Sequence, residues 1–375
     1  MIEGLKRALI VGGGIGGMAS AIRLRQLGVE VDLIDLDPEW RVYGAGITIT
    51  GPTLRAYKRL GLLDKIRAEG AITNGTRLFH FSGAPIMELD EPAIEEGLPA
   101  TGGILRPVLH RIMSEEVRRL DVSVKLGVSV ESLNQSDGSV LVHLTDDTDA
   151  RYDLVIGADG ISSKVRSLVF PNAVQAKYTG QGSWRILTAR PKDFDKGEIY
   201  LGHSNLVGIT ACSPEHVYVF MLNAAPDKTW IKAEDQPDKV RDLLADFGGR
   251  IKEIRESVRP DSSIVFRPLE SALQPKPWNI GHVVLLGDAA HATTPHLASG
   301  AGMAVEDALV LSDELERHAP DIDAALNAFT ERRFDRCRFV VETSVAIGAA
   351  QLAGTNPQEV GAMTGQALHK LAEDI

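Results

Sequence analysis

The sequence predicts a mixed α/β (α+β) fold, in which a Rossmann-like nucleotide-binding domain carries an inserted antiparallel-sheet domain and ends in C-terminal helices. Three observations support this prediction. A short apolar run at residues 8–11 precedes clustered glycines and a helical pattern, as in a βαβ unit. Residues from about 178 to 267 form alternating runs bounded by Gly, Pro and Asn, which is typical of antiparallel strands. The segment from 323 to about 352 is strongly helical.

The first βαβ unit has the pattern of a dinucleotide-binding turn. In the run GGGIGG, Gly12 makes the tight turn, Gly14 lets the backbone approach a pyrophosphate, and Gly17 allows helix and strand to pack closely. The helix N-terminus offers free N–H groups to the phosphates. The second strand ends at Asp35, about 20 residues past the glycines, where a carboxylate accepts hydrogen bonds from a ribose.

Two further motifs follow apolar strands much later in the chain. GADGISSKVR occupies residues 157–166, and GDAAHATTPHLASGAGMAVEDA occupies residues 287–308. The three motifs together indicate one site that is assembled from distant segments. A nucleotide that touches all three must be long, and we interpret it as FAD.

The third motif combines a carboxylate with a predicted helix start. Asp288 follows the strand at residues 283–286 and can hydrogen-bond a polyol chain such as ribitol. A glycine-containing loop at 300–302 precedes a helix that we expect to begin at about Met303, with N–H groups facing a flavin. Glu306 and Asp307 then fall in the first turn, where acidic side chains suit the helix dipole.

Composition narrows the class of protein. A length of 375 residues allows about two domains, and a net charge of −11 argues against partners such as nucleic acid or an anionic membrane. The two cysteines cannot make a disulfide framework or a thiolate metal site, so no metal is expected. No signal peptide or membrane-spanning run is evident, and we expect a cytoplasmic protein that is a monomer or a homodimer.

The predicted domains are discontinuous. We assign 1–75, 98–177 and 268–322 to the FAD-binding domain, 76–97 and 178–267 to the substrate domain, and 323–375 to a C-terminal helical segment. Within the substrate domain we expect one helix, at residues 237–247. A deep pocket is expected between the two domains, because ligand pockets favour domain interfaces.

The ordered motifs resemble those of a known enzyme family. GxGxxG, Arg106 in RPVLHRIM, GADGxxSxxR and GDAAHxxxP…EDA are similar to the single-component flavin-dependent aromatic hydroxylases, the group A family with p-hydroxybenzoate, salicylate and 6-hydroxynicotinate hydroxylases. The resemblance covers roughly residues 7–345. It implies FAD that is reduced by NADH or NADPH. It also implies a C4a-hydroperoxyflavin that inserts one atom of O2 into a small, electron-rich aromatic or heteroaromatic substrate.

The resemblance also implies roles for individual residues. Arg106 would contact the pyrophosphate, Asp159 and Gly160 would serve both FAD and the pyridine nucleotide, and Asp288 would hold the ribitol. The predicted cofactor-binding residues are Gly12, Gly14, Ile15, Gly16, Gly17, Asp35, Leu36, Arg41, Gly46, Arg106, Val130, Asp159, Gly160, Gly287, Asp288, Pro295, Gly300, Ala301 and Gly302. One departure is Ala298-Ser299-Gly300, where relatives usually have GQG, so that a glutamine side-chain contact is lost.

The predicted catalytic residues are His296, Tyr218 and Pro295. Pro295 would line the reactive face of the flavin. His296 follows it, where a group titrating near neutrality could take a phenolic proton. Tyr218 resembles the strand tyrosine that points at substrate in related nicotinate and purine hydroxylases; an aromatic residue of a sheet core is the alternative. His291 is expected to be scaffold. Further substrate-binding candidates are Ile47, Thr48, Arg185, His203, His216 and Phe220.

Other functions leave different traces in a sequence. Flavin halogenases carry a WxWxIP segment, which is absent from the run GSWRIL at residues 182–187. A simple NAD-dependent dehydrogenase would need neither the second nor the third motif, and no second Rossmann fingerprint is present. An oxidase or reductase of the same fold, or a non-catalytic flavoprotein, stays open as an alternative.

Overall fold

The structure is a computed structural model that describes residues 2–42, 44–91, 93–202 and 205–375. The strands of the described residues are β1 (Arg7–Val11), β2 (Glu30–Asp35), β3 (Gly46–Thr50), β4 (Ala71–Thr73), β5 (Thr76–His80), β6 (Pro85–Leu89), β7 (Thr101–Leu105), β8 (Ser123–Leu126), β9 (Val130–Ser136), β10 (Ser139–Leu144), β11 (Asp149–Tyr152), β12 (Leu154–Gly157), β13 (Lys177–Ala189), β14 (Gly197–Leu201), β15 (Leu206–Ala211), β16 (His216–Ala224), β17 (Ile264–Ser271), β18 (Asn279–Ile280) and β19 (Val283–Leu285). The α-helices are α1 (Ile15–Gln26), α2 (Gly51–Leu60), α3 (Leu63–Glu69), α4 (Arg106–Arg119), α5 (Lys164–Val169), α6 (Gln236–Leu243), α7 (Gly249–Ser257), α8 (Asp288–His291), α9 (Gly300–His318), α10 (Ile322–Leu352) and α11 (Pro357–Leu371).

The first sheet brings the three sequence motifs together. In the described part of the chain its strand order is β18-β19-β12-β1-β2-β8, and β19, β12, β1, β2 and β8 run parallel. Their apolar runs are buried on both faces, as a parallel sheet covered by helices requires. Since β1, β12 and β19 are neighbours, the motifs that follow them meet at one edge of the sheet, where open α/β sheets bind ligands.

The second large sheet is mainly antiparallel, as predicted. Among the described residues its order is β17-β13-β16-β15-β14-β5-β6, and β5 pairs with β14 in parallel. It therefore combines strands from 76–89 with strands from 177–271, which fall largely within the ranges 76–97 and 178–267 assigned to the substrate domain. The single helix expected at 237–247 was wrong, because the structure has two helices, α6 and α7, separated by a turn at residues 244–246.

Each large sheet has its own apolar core. The first core lies around β1, β12 and β19 and includes residues of α1, α9 and α10. The second core lies between the antiparallel sheet and helices α6 and α7. The face of this sheet that lies away from α6 and α7 carries a small third cluster around Tyr218 and Cys212. Every helix of the described residues is either too short or too polar to span a lipid bilayer.

Candidate functional site

The three motif loops touch at the end of the parallel sheet. Gly12 has φ of +107°, and a Cβ there would lie 2.7 Å from the carbonyl carbon of Ala158, so the first motif needs glycine where the second crosses it. The guanidinium of Arg166 joins the second motif to the third by donating to the carbonyl of Ala289 at 2.7 Å. Arg166 was not predicted as a site residue, although its place in GADGISSKVR was visible.

In the glycine loop, there is space for a side chain at Gly14 but none at Gly17. No atom lies within 4 Å of a Cβ built at Gly14, whereas a Cβ at Gly17 would collide with the carbonyl oxygen of Gly12. Asp35 accepts a hydrogen bond from the Gly13 N–H at 2.6 Å. The open space above Gly14 and the free helix N-terminus suit a pyrophosphate.

Trp40 supports the same loop and escaped the sequence analysis. Its indole Nε1 donates to the Gly13 carbonyl at 2.9 Å, and its side chain is only 5% exposed. The residue has φ of +51°, which is uncommon for a bulky side chain. Nothing in the local sequence indicates that a tryptophan after Asp37 would turn back onto the first motif.

Asp159 and Gly160 differ in what they can offer a ligand. The Asp159 carboxylate accepts the backbone N–H groups of Lys164 and Val165 at 2.7 and 3.0 Å, and it therefore holds the start of α5. Gly160 has φ of +78° and open space around its Cβ position. A cofactor contact at this turn would therefore involve the backbone of Gly160.

Arg106 and Asp288 carry opposite charges and lie close enough for each to affect the pKa of the other. Asp288 is accessible to solvent, yet surrounding protein atoms raise the pKa of its carboxyl by desolvation. Burial likewise lowers the pKa of Arg106, and the charge of Asp288 opposes that effect. Neither side chain forms a hydrogen bond or an ion pair within the described ranges. Accessible but desolvated polar groups without partners fit a pocket that holds a polar ligand such as FAD.

Helix α9 begins earlier than the sequence suggested. Gly300, Ala301 and Gly302 form its first turn, and the predicted start at Met303 was therefore wrong. A Cβ at Gly302 would collide with the Thr53 hydroxyl, so glycine permits close packing on α2. Among the described residues, the α9 N-cap Ser299 forms no side-chain capping hydrogen bond. The first N–H groups of α9 therefore have no partner within the helix and can donate hydrogen bonds to a negatively charged group.

Glu306 and Asp307 lie in the second turn of α9, and the prediction that they complement the helix start was wrong. Asp307 is 0% exposed and accepts hydrogen bonds from the Gly287 N–H at 2.8 Å, from His291 Nε2 at 2.6 Å and from Arg333 Nε at 2.8 Å. Glu306 forms an ion pair with Arg333. These contacts fix the third motif against α10, in agreement with the expected scaffold role of His291.

The same cluster contains atoms that could ligate a metal. Ligand atoms of His291, Asp307 and Cys337 lie within 4.8 Å of one another. The ion pairs with His291 and Arg333 hold the pKa of the Asp307 carboxyl far below its usual range, against the effect of burial. The charge of Asp307 also raises the pKa of His291 although burial opposes it. The carboxylate is thus already neutralised by side chains of this chain.

Tyr218 projects from the antiparallel sheet against β3. A Cβ at Gly46 would collide with the Tyr218 ring, and the phenol hydroxyl is hydrogen-bonded to the Thr48 hydroxyl. Burial raises the pKa of Tyr218. The phenol is therefore protonated at neutral pH and can donate a hydrogen bond but cannot act as a strong base.

His296 lies in a 3-10 turn, Pro295–Leu297, and contacts the last turns of α10. Its Nδ1 is 2.9 Å from the Thr294 hydroxyl and its Nε2 is 3.2 Å from Gln351 Oε1. Because that oxygen is an acceptor, Nε2 carries the proton and Nδ1 accepts from Thr294. Burial lowers the pKa of His296 to about 4, although the contact with Gln351 opposes it. The expectation of a group titrating near neutrality was therefore wrong, and Gln351, 55 residues away, had no sequence signal.

The remaining predicted site residues lie in varied surroundings. Val130 is completely buried in the first core, so only its backbone could reach a cofactor. Leu36 is 70% exposed beside Asp35, and Arg41 forms an ion pair with Asp37. His203 lies outside the described residues. The other predicted residues are Ile15 and Gly16 at the start of α1, Ile47 on β3, Arg185 on β13, His216 and Phe220 on β16, and Gly287 before α8.

Comparison with known proteins gives consistent matches over nearly the whole chain. The family described as FAD binding domain matches residues 6–344. The protein YetM of Bacillus subtilis (strain 168) is 32% identical over 353 residues, which cover 93% of this chain and 95% of YetM. The 2-heptyl-3-hydroxy-4(1H)-quinolone synthase of Pseudomonas aeruginosa (strain UCBPP-PA14) is 32% identical over 350 residues. The aligned residues cover 91% of this chain and 88% of the synthase.

A solved structure shows the same fold. The crystal structure of Klebsiella pneumoniae HpxO complexed with FAD and uric acid superposes with a TM-score of 0.86. The two sequences are 23% identical, and the alignment covers 98% of this chain and 93% of HpxO. At this identity the likeness supports the fold alone.

Proposed function

Because this chain belongs to the FAD binding domain family, we propose that it hydroxylates a planar heteroaromatic substrate in the cleft between its two large sheets. The observation that carries the proposal is the pair Arg106 and Asp288. Both are desolvated, accessible from the cleft and without a partner among the described residues, as groups that await a polar cofactor would be.

Several predictions from the sequence are confirmed by the relatives. The chain is a FAD-dependent monooxygenase of the aromatic hydroxylase type, with FAD as its cofactor and with O2 and a reduced nicotinamide as co-substrates. The mixed α/β fold with an antiparallel substrate-side sheet is also confirmed. The domain limits, the individual site residues and the oligomeric state stay predictions.

We assign the cofactor contacts by the chemistry of each group. The N–H groups at the start of α1 and the guanidinium of Arg106 would bind the pyrophosphate, and Asp288 would accept hydrogen bonds from the ribitol hydroxyls. Asp35 has remaining acceptor capacity for the adenosine ribose. The uncapped start of α9 would face the flavin ring, where its dipole favours negative charge on the reduced ring.

The residues on the opposite wall would orient the substrate. Bound FAD, once reduced, supplies the means to activate O2 and to deliver one oxygen atom to the ring. Tyr218 is protonated and can donate a hydrogen bond to a ring oxygen or nitrogen. His296 is neutral, is held by Thr294 and Gln351, and would close the flavin side of the pocket together with Pro295.

Heteroaromatic substrates are favoured over simple phenols by the relatives. Their names include a quinolone synthase, a FAD-dependent urate hydroxylase of Klebsiella oxytoca and a 6-hydroxynicotinate 3-monooxygenase of Bordetella bronchiseptica. All three act on rings that contain nitrogen. We propose a substrate of this kind, used in the cytoplasm where NADH and NADPH are supplied.

A substrate screen of the FAD-loaded protein tests the proposal. Quinolones, purines and hydroxynicotinates are offered with NADH or NADPH, and both nicotinamide oxidation and incorporation of label from 18O2 are measured. We expect one class to accelerate flavin reduction and to gain one labelled oxygen atom. Purified protein that binds no FAD, or that oxidises nicotinamide equally with and without every compound, would contradict it.

A further inference from the structure

The guanidinium of Arg185 has no hydrogen-bond or ion-pair partner within residues 2–42, 44–91, 93–202 and 205–375. It is only partly accessible, and burial together with the positive charges of Arg106 and Arg267 lowers its pKa to about 10. At neutral pH it is therefore still a cation. The group that opposes this shift is Tyr218, which is protonated and carries no charge.

The position of Arg185 on β13 places it on the face of the sheet that lies away from α6 and α7. Neighbouring residues of a strand point to opposite faces. Trp184 and Ile186 belong to the apolar core against α6 and α7. The ring centroids of Trp184 and Phe266 are 4.6 Å apart. Arg185 therefore lies on the other face, the one that carries Tyr218 on the adjacent strand β16.

A desolvated cation without a counter-ion is costly. Buried charges in proteins are ordinarily paired or coordinated, because removing an unpaired charge from water is strongly unfavourable. No carboxylate of the described residues contributes to the pKa of Arg185, whereas Asp288 does contribute to that of Arg106. The charge of Arg185 is thus left for a ligand to neutralise.

The chemistry of the site calls for the same kind of ligand. Oxygen insertion requires an electron-rich ring, and an ionised ring is richer in electrons than a neutral one. At neutral pH neither Tyr218 nor His296 is a strong base, because the Tyr218 phenol is protonated and the pKa of the His296 imidazole is low. A substrate that is already ionised in solution, or that releases its proton to water when a guanidinium lowers its pKa, needs no such base.

We propose that Arg185 is the anion-binding group of the substrate pocket and that the enzyme takes its substrate as a planar monoanion. The planar fork of a guanidinium matches a carboxylate or the O/N edge of an ionised heteroaromatic ring. This inference rests on the proposed function and specifies its substrate class: a heteroaromatic acid with a carboxylate, an acidic ring hydroxyl or an acidic ring N–H.

The test compares an anion with its neutral isostere without turnover. Benzoate and benzamide are titrated calorimetrically into the oxidised, FAD-loaded protein at pH 7.5. The variants are Arg185→Gln and Arg185→Lys, and Arg241→Gln on the solvent side of α6 controls for the change in net charge. We expect wild-type protein and Arg241→Gln to bind benzoate about tenfold more tightly than benzamide. Arg185→Gln should lose this preference, and Arg185→Lys should retain part of it.

Equal affinity for the two probes, no detectable binding of benzoate, or a preference that survives in Arg185→Gln would overturn the proposal. If Arg185→Gln loses FAD or fails to fold, the test uses wild-type crystals soaked in bromide, in which the anomalous signal locates bound anions. An anomalous peak on the Arg185 guanidinium supports the site, and its absence refutes it. The proposed function fails separately, when no compound of the screen is hydroxylated. Hydroxylation of a neutral substrate would instead preserve that function and refute the anion site.

Discussion

Asp288 and Asp307 lie in the same motif segment but in opposite surroundings. Asp307 is fully buried and neutralised by His291 and Arg333, and its carboxylate also holds the Gly287 N–H. Asp288, one residue after Gly287, has no such partner among the described residues, and desolvation raises its pKa. The difference separates scaffold from site: a charge satisfied inside the protein stabilises the fold, and a charge left unsatisfied is available to a ligand.

Two arginines differ in the same way. Arg333 is 1% exposed and forms ion pairs with Glu306 and Asp307, which raise its pKa although burial opposes them. Arg185 has no such acidic partner in the part of the chain that the structure describes, and burial lowers its pKa. The same contrast between a paired and an unpaired charge therefore holds for carboxylates and for guanidinium groups. Mutating the paired and the unpaired residue separately tests it.

The largest effect is expected for Asp307. Asp307→Asn should lower the free energy of unfolding by about 3–5 kcal/mol, because His291 and Arg333 would lose a buried counter-ion. Asp288→Asn should change the stability of the FAD-free protein by less than about 1 kcal/mol, since no internal contact is lost. Urea denaturation of both FAD-free variants checks this, and equal losses would contradict the division into scaffold and site.

Flavin affinity should show the reverse order. Asp288→Asn removes a charged hydrogen-bond acceptor for the polyol, which is worth about 1.5–3 kcal/mol, so the Kd for FAD should rise about tenfold or more. Fluorescence titration of the FAD-free protein measures this. Asp313→Asn, an exchange of the same type on the outer side of α9, is the control, and its FAD affinity should be unchanged. An unaltered affinity in Asp288→Asn would remove Asp288 from the cofactor site.

The glycine loop gives a matched pair of smaller changes. Gly17→Ala should destabilise the protein by about 1–3 kcal/mol, because its Cβ would collide with the Gly12 carbonyl oxygen. Gly14→Ala meets no atom within 4 Å and has an extended backbone that alanine adopts easily. It should keep its thermal stability but bind FAD more weakly, since the methyl group would occupy the cradle. Unweakened FAD binding by Gly14→Ala would place the pyrophosphate elsewhere.

The smallest effect concerns pH. The pKa of His296 is lowered to about 4 from 6.5, so the unfolded chain binds a proton in this range that the folded chain excludes. The free energy of unfolding should therefore fall as the pH falls from about 6.5 to about 4. Unfolding measured at pH 7.5 and pH 5 should differ less in His296→Gln than in wild-type protein. An identical pH dependence of the two proteins would refute the lowered pKa.

The sequence alone determined the fold class and the cofactor. Its three motifs, the order of the apolar strands and the alternating runs are local patterns, and each is fixed by the backbone conformation that it demands. Gly12, Gly14 and Gly17 could be assigned distinct roles before any coordinates, because glycine is required where another backbone passes close by. Boundaries were less certain: the start of α9 and the division between α6 and α7 depend on packing that a single segment does not contain.

The tertiary structure alone decided which polar groups are satisfied. Trp40 reaches Gly13, Arg166 reaches Ala289, and Gln351 reaches His296 across separations that no local pattern encodes. The pKa of His296 and the lack of a partner for Arg185 follow from burial and from neighbours on other strands and helices. Desolvation and pairing are properties of the folded surroundings. The chain therefore specifies the chemistry of its residues, and the fold selects which of them are left available to a ligand.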